Sequence, residues 1–96
     1  MRMMVTIRVP AAAGNRAITG GSMTGLIEKL MQKTRPECAY FFLENGKRTM
    51  RAVFDMKTNI DQVPALEPAI IGLDAEVEII PVLTAEELHA GFAAIE

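Results

Sequence analysis

Only one cysteine, Cys38, and one histidine, His89, occur in the 96 residues. A lone thiol excludes an internal disulfide and fits a reducing cytoplasm. One thiol and one imidazole are too few for a transition-metal centre, so neither metal nor cofactor is expected. No charge excess exists either. Ten Lys and Arg stand against 12 Asp and Glu, leaving a net charge of −2 without the clustered cations that nucleic acid or an anionic membrane demands. No apolar run approaches the ~18 residues that suggest a membrane span. The opening Met1-Arg2-Met3-Met4-Val5-Thr6-Ile7-Arg8 is too short and too interrupted by charge for a signal-peptide core, so a cytoplasmic protein is expected. Repeats, linkers and low-complexity tracts are also missing, which leaves one domain over residues 1–96. Against these absences stands an apolar half of the composition. That is enough for a compact core, but a chain this short buries a modest share of its surface, and self-association is a natural source of more.

Residues 3–9 alternate, with Met3, Val5, Ile7 and Val9 on one side and Met4, Thr6 and Arg8 on the other, which predicts a half-buried strand. Pro10 ends it, and Ala11-Ala12-Ala13-Gly14 is expected to lead away as a connection. A helix follows, with Ser22 as its N-cap and Met23, Leu26, Ile27, Leu30 and Met31 as its apolar stripe. Pro36 stops it. Residues 15–21 are open to an upstream extension that Gly20-Gly21 disfavours.

Asn45-Gly46 lies between two β-rich runs, 38–44 and 47–55. Such a pair favours a two-residue type I′ hairpin because both central residues must accept positive φ. The turn sets a register in which Glu44 faces Lys47, Phe42 faces Thr49, Tyr40 faces Arg51 and Cys38 faces Val53. Thr58 to Leu73 predicts a second, irregular helix, capped by Asn59 or Asp61, kinked or shortened at Pro68 and closed by Gly72. Glu76 to Ile80 alternates as a last strand until Pro81. A final helix opens with Thr84 and Glu87 as a capping box and Leu83 with Leu88 as a hydrophobic staple. Leu88, Phe92 and Ile95 form its stripe.

The order is β-α-β-β-α-β plus a C-terminal helix, the ferredoxin-like arrangement of an α+β, four-stranded antiparallel sheet with helices on one face. Right-handed crossovers are expected to make the first and third strands a central parallel pair with the other two at the edges. Met3, Val5, Ile7, Phe41, Met50, Ala52, Phe54, Val77 and Ile79 are expected under the helices. The opposite face carries Met4, Thr6, Arg8, Tyr40, Phe42, Thr49, Arg51, Val53, Glu76, Glu78 and Ile80, half apolar and half charged. A second copy packed face to face would cover it, forming a barrel-like homodimer with a semi-polar interior. Arg8 and Arg51 have Glu76 and Glu78 as candidate partners there.

Three stretches carry a family resemblance across nearly the whole chain. They are Pro36-Glu37-Cys38-Ala39-Tyr40-Phe41-Phe42 with Asn45-Gly46-Lys47-Arg48-Thr49, Val63-Pro64-Ala65-Leu66-Glu67-Pro68, and Asp74-Ala75-Glu76-Val77-Glu78 with Pro81-Val82-Leu83-Thr84-Ala85-Glu86-Glu87-Leu88. In these the chain resembles a family of small uncharacterised bacterial proteins. That family is similar in fold to the dimeric α+β barrel superfamily, which includes muconolactone isomerases, antibiotic-biosynthesis-type monooxygenases and stress-responsive barrel proteins. The resemblance implies a fold and a homodimer and carries no catalytic motif with it.

The candidate ligand-binding residues are Arg8, Tyr40, Arg51 and Glu78. A phenol beside a guanidinium can hold a carboxylate or enolate oxygen, although the same pair is an ordinary cross-strand contact. Glu67, between two prolines, is a secondary candidate for acid or base chemistry, set against a solvated carboxylate at a kink. His89 is another, set against a rim histidine one place off the Leu88 stripe. Cys38 is either a nucleophile or a buried, inert thiol. The methionines read as adaptable packing. These residues fit a small-molecule-binding homodimer. The alternatives are a cofactor-independent isomerase or monooxygenase using Tyr40, Arg51 and Glu67 or His89, and a protein-interaction module. A cavity above ~300 Å³ near Tyr40 and Arg51 would favour the first two.

Overall fold

Alternation and punctuation along the chain resolve into strands and helices in the computed structural model, which describes residues Met1–Glu96. The elements are β1 (Arg2–Val9), α1 (Ala11–Thr19), α2 (Met23–Thr34), β2 (Cys38–Glu44), β3 (Lys47–Asp55), a 3-10 turn (Asn59–Asp61), α3 (Gln62–Leu73), β4 (Glu76–Pro81) and α4 (Ala85–Ala93). The strands form one sheet in the order β2-β3-β1-β4. Every neighbouring pair is antiparallel, including the central β1 and β3. The expected parallel pairing of those two is therefore corrected. Each crossover skips one position in the sheet, so the strands it makes parallel (β1 with β2, β3 with β4) are not neighbours. The result is an α+β chain with four α-helices and a four-stranded antiparallel sheet, compatible with a ferredoxin-like fold. No helix is long and apolar enough to cross a membrane.

The hairpin forms as the Asn-Gly pair dictates. Asn45 and Gly46 take φ of 54° and 77°, and the register from Glu44 opposite Lys47 to Cys38 opposite Val53 is the expected one. Once the turn is two residues long, period-2 alternation leaves no freedom to slip without inverting both faces.

Between β1 and β2 the chain makes two helices. Ala11 to Gly14, expected as a connection, form the first turn of α1, since Pro10 supplies a preset φ just before a run of strong helix formers. Gly20-Gly21 then breaks the helix. Gly21 sits at φ 82°. Ser22 occupies the N-cap position of α2 without capping through its side chain; its hydroxyl instead turns toward the Ala17 carbonyl at 3.5 Å.

The irregular helix also differs from expectation. The segment begins at Thr58 as expected, Thr58 with Asp61 forms the capping box of the 3-10 turn, and Asp61, one of the two expected caps, takes the N-cap position of α3 without capping through its side chain. Pro68 does not shorten α3, which runs to Leu73 and ends on Asp74 in the left-handed region, so Gly72 is not its terminus. Ala65, Leu66, Ala69 and Leu73 are buried along one side, and their packing offsets the hydrogen bond that proline removes. Gly72 has a packing role, because a Cβ there would come within 3.2 Å of the Leu26 methyls. β4 runs one residue further than Ile80, to Pro81.

The core lies between one sheet face and α1 to α3. Met3, Val5, Ile7, Val9, Met50, Ala52 and Phe54 from the strands join Ala17, Leu30 and the buried side of α3 in one cluster. Phe41 does not belong to it, against expectation. It is 55 % exposed and Leu43 is 74 % exposed, because the helix layer stops short of the outer strand β2. At the far end, α4 has the expected Thr84–Glu87 capping box yet buries none of its residues.

Candidate functional site

The sheet face turned away from the helices is organised in rows of directly opposed residues. Cys38, Val53, Met4 and Ile80 form one row; Tyr40, Arg51, Thr6 and Glu78 the next; Phe42, Thr49, Arg8 and Glu76 the third. One half of the face is thus apolar and the other charged. All four predicted ligand residues, Arg8, Tyr40, Arg51 and Glu78, share this face.

The charges pair off within it. Arg8 Nη1 donates to Glu78 Oε1 at 2.7 Å, and Arg8 Nη2 donates to Glu44 Oε1 at 3.0 Å. Arg51 Nη2 reaches Glu44 Oε2 at 3.4 Å, while Arg51 Nε donates to the Thr6 hydroxyl at 3.1 Å. The Arg51 guanidinium also lies 5.1 Å from the Phe42 ring centroid. Beneath this layer Thr6 and Thr49 are buried. Glu76, the other expected partner, pairs with Lys47 instead. Tyr40 stands opposite Arg51 in register but remains 68 % exposed, with its hydroxyl making no protein hydrogen bond.

Glu44 is the residue that sequence reasoning missed. The turn register pairs it only with the Lys47 directly across, yet it bridges both arginines. The available signal was its parity: Glu44 shares a face with Tyr40 and Phe42, and long side chains reach diagonal neighbours on a sheet. The Arg8 guanidinium, first through hydrogen bonding, holds the Glu44 carboxyl below its ordinary 4.5. Hydrogen bonds from the Thr84 backbone and hydroxyl lower Glu87, and the Met1 ammonium lowers Asp55.

A carboxylate with a depressed folded-state pKa contributes stability that is fully present above its ordinary pKa and is lost as pH falls through the folded value. Thermal midpoints are therefore expected to be flat above about pH 5 and to fall progressively below the ordinary carboxylate range. Glu44→Gln should make that acid slope shallower. A slope identical to the parent's would remove Glu44 from the linkage.

The remaining candidates lie elsewhere. Glu67 is an exposed residue of α3 on the helix side of the sheet, and His89 is exposed on α4. Neither joins the cluster or lines either principal cavity. Cys38 is exposed rather than buried, because it opens an outer strand on the uncovered face. No group of three or more His, Cys, Asp or Glu residues is placed to hold a metal ion.

The main cavity, about 370 Å³, is not beside Tyr40 and Arg51. It lies on the helix side, between the ends of β1 to β3 and α2, with Ile7, Leu26, Ile27, Leu30, Phe41 and Met50 in its wall. A second hollow of about 210 Å³ lies between β3 and the start of α3, beside Asp55 and Asp61.

No family model matches the chain, and no curated protein matches it. Among solved structures it is similar to the de novo designed protein Ferredog-Diesel, with a TM-score of 0.50 and 9 % identity over 84 % of this chain and 85 % of that one. MupZ from Pseudomonas fluorescens aligns with a TM-score of 0.48 and 16 % identity over 98 % of this chain and 79 % of that one. At 9 % identity the likeness to the designed protein is one of fold alone.

Proposed function

We propose that the protein is a small-molecule-binding homodimer with a ferredoxin-like fold. A second copy closes the open sheet face in the manner of a dimeric α+β barrel. The ligand then sits in the semi-polar space between the two sheets, beside Arg8, Tyr40, Arg51 and Glu78. The observation that supports this reading is the charge compensation within the face. Two guanidinium groups and two carboxylates, Arg8, Arg51, Glu44 and Glu78, form one connected network. Dehydrating an unpaired charge is costly, whereas a paired and hydrogen-bonded set can be covered with a much smaller penalty.

The apolar half supplies the driving force. Ile80 is 53 % exposed and adjoins Met4, Val53 and Cys38 in its row. Closed two-fold symmetry places the same face on both partners, so each copy covers what the other exposes. Tyr40, whose hydroxyl has no protein partner, is the group left to orient a bound carboxylate or enolate.

Sedimentation equilibrium tests the assembly. A mass twice the 10.5 kDa chain is expected, and a monomer up to the highest soluble concentration would overturn it. A thermal-shift panel of small aromatic acids and keto acids tests the site. A ligand that binds the folded state raises its midpoint, and Arg51→Met should reduce that rise. An undiminished rise would remove Arg51 from the lining.

A further inference from the structure

The helix-side cavity has no part in the proposed dimer, and one of its walls is out of pattern. Alternation along β3 sends Met50, Ala52 and Phe54 into the core. Arg48 has the same parity, so it projects from the helix face at a position where an apolar side chain would continue the series. Its row neighbours there are Leu43 and Val9. Of the 15 residues around the cavity 13 are hydrophobic, and Arg48 is the one that carries a charge.

That charge has no counterpart within the chain. The eight ion pairs of the molecule are all made by other groups. The Arg48 side chain donates one hydrogen bond, from Nη2 to Asn15 Oδ1 at 3.0 Å. Nη1 lies over Gly14, so close that a Cβ there would stand 2.5 Å from it. The guanidinium is thus held against α1 by a neutral amide and the space a glycine leaves. A half-buried cation ordinarily finds a carboxylate.

We propose that this cavity binds an amphipathic organic anion. A carboxylate head pairs with the Arg48 guanidinium, and an aliphatic or aromatic body lies against Leu26, Ile27, Phe41 and Met50. The guanidinium presents its donors in a planar fork that matches a carboxylate. About 370 Å³ falls within the range of ~300–1,000 Å³ typical of small-molecule sites. Access is from the β2 edge, where Phe41 and Leu43 are uncovered.

Calorimetric titration of the full chain with decanoate, decanol and decyltrimethylammonium, each below its micellar concentration, tests the site. Decanoate is expected to bind at least about tenfold more tightly than decanol, as a charge-assisted hydrogen bond to the head would require. The cation should bind most weakly. Arg48→Met should abolish the preference for decanoate and leave decanol unchanged. Phe41→Ser, at an exposed position, should weaken all three together, with circular dichroism confirming the fold. Equal binding of decanoate and decanol, no binding of decanoate, or a preference that survives Arg48→Met would each overturn the proposal. Sedimentation of the same samples separates this result from the dimer. A monomer showing the decanoate pattern sinks only the dimer, and a dimer indifferent to decanoate sinks only the cavity.

Discussion

Replacing Ile80 with glutamate is expected to leave a folded protein and to abolish the proposed pairing of two copies. In the isolated chain Ile80 is half exposed on β4, so a charge there is tolerated much as other surface substitutions are. Under a second copy the same position is covered. Two-fold symmetry counts the change twice, and both new carboxylates must be dehydrated without a cation assigned to them, because Arg8 and Arg51 are already engaged. Association should weaken at least about a hundredfold, on the order of 3 kcal/mol. Sedimentation should show a 10.5 kDa species with unchanged circular dichroism. A dimer of undiminished affinity would show that the uncovered sheet face is not the interface.

Phe54→Ala should produce the largest loss of stability. Phe54 is 3 % exposed near the end of β3 and belongs to the cluster that joins the sheet to α2 and α3. Its removal leaves a cavity that neighbours on a hydrogen-bonded sheet cannot collapse to fill, at a cost of about 3–5 kcal/mol. Domains have only ~5–15 kcal/mol in all, so the substitution removes a large share of the total. Urea titration at fixed protein concentration should move the midpoint down by more than about 1 M with little change in slope. A loss below about 1 kcal/mol would place the centre of the core elsewhere.

The site was legible to the extent that alternation decides faces. Parity alone puts Arg8, Tyr40, Arg51 and Glu78 on one side, and all four are there. Pairing was less legible. The register matches Glu44 with the residue directly across the turn, but an arginine side chain spans more than one strand spacing. Arg8 therefore reaches it over Thr49. The setting of Arg48 is not legible in the sequence for a related reason. Its parity puts it on the core side, yet whether that side is covered at the sheet's end depends on where α2 lies. Exposure of Phe41 follows from the same fact, that the helix layer stops short of the outer strand β2.

Short-range chemistry settled the hairpin and its register, the capped start of α4 and the two faces of every strand, because each depends on φ preferences or on neighbours two to four residues away. Assembly settled the rest. Whether Pro68 breaks α3 depended on buried alanines and leucines that hold the helix across it. The antiparallel centre of the sheet, the partners of Glu44 and the hollow beside Arg48 arise only when segments distant along the chain are brought together, and no local preference encodes that meeting.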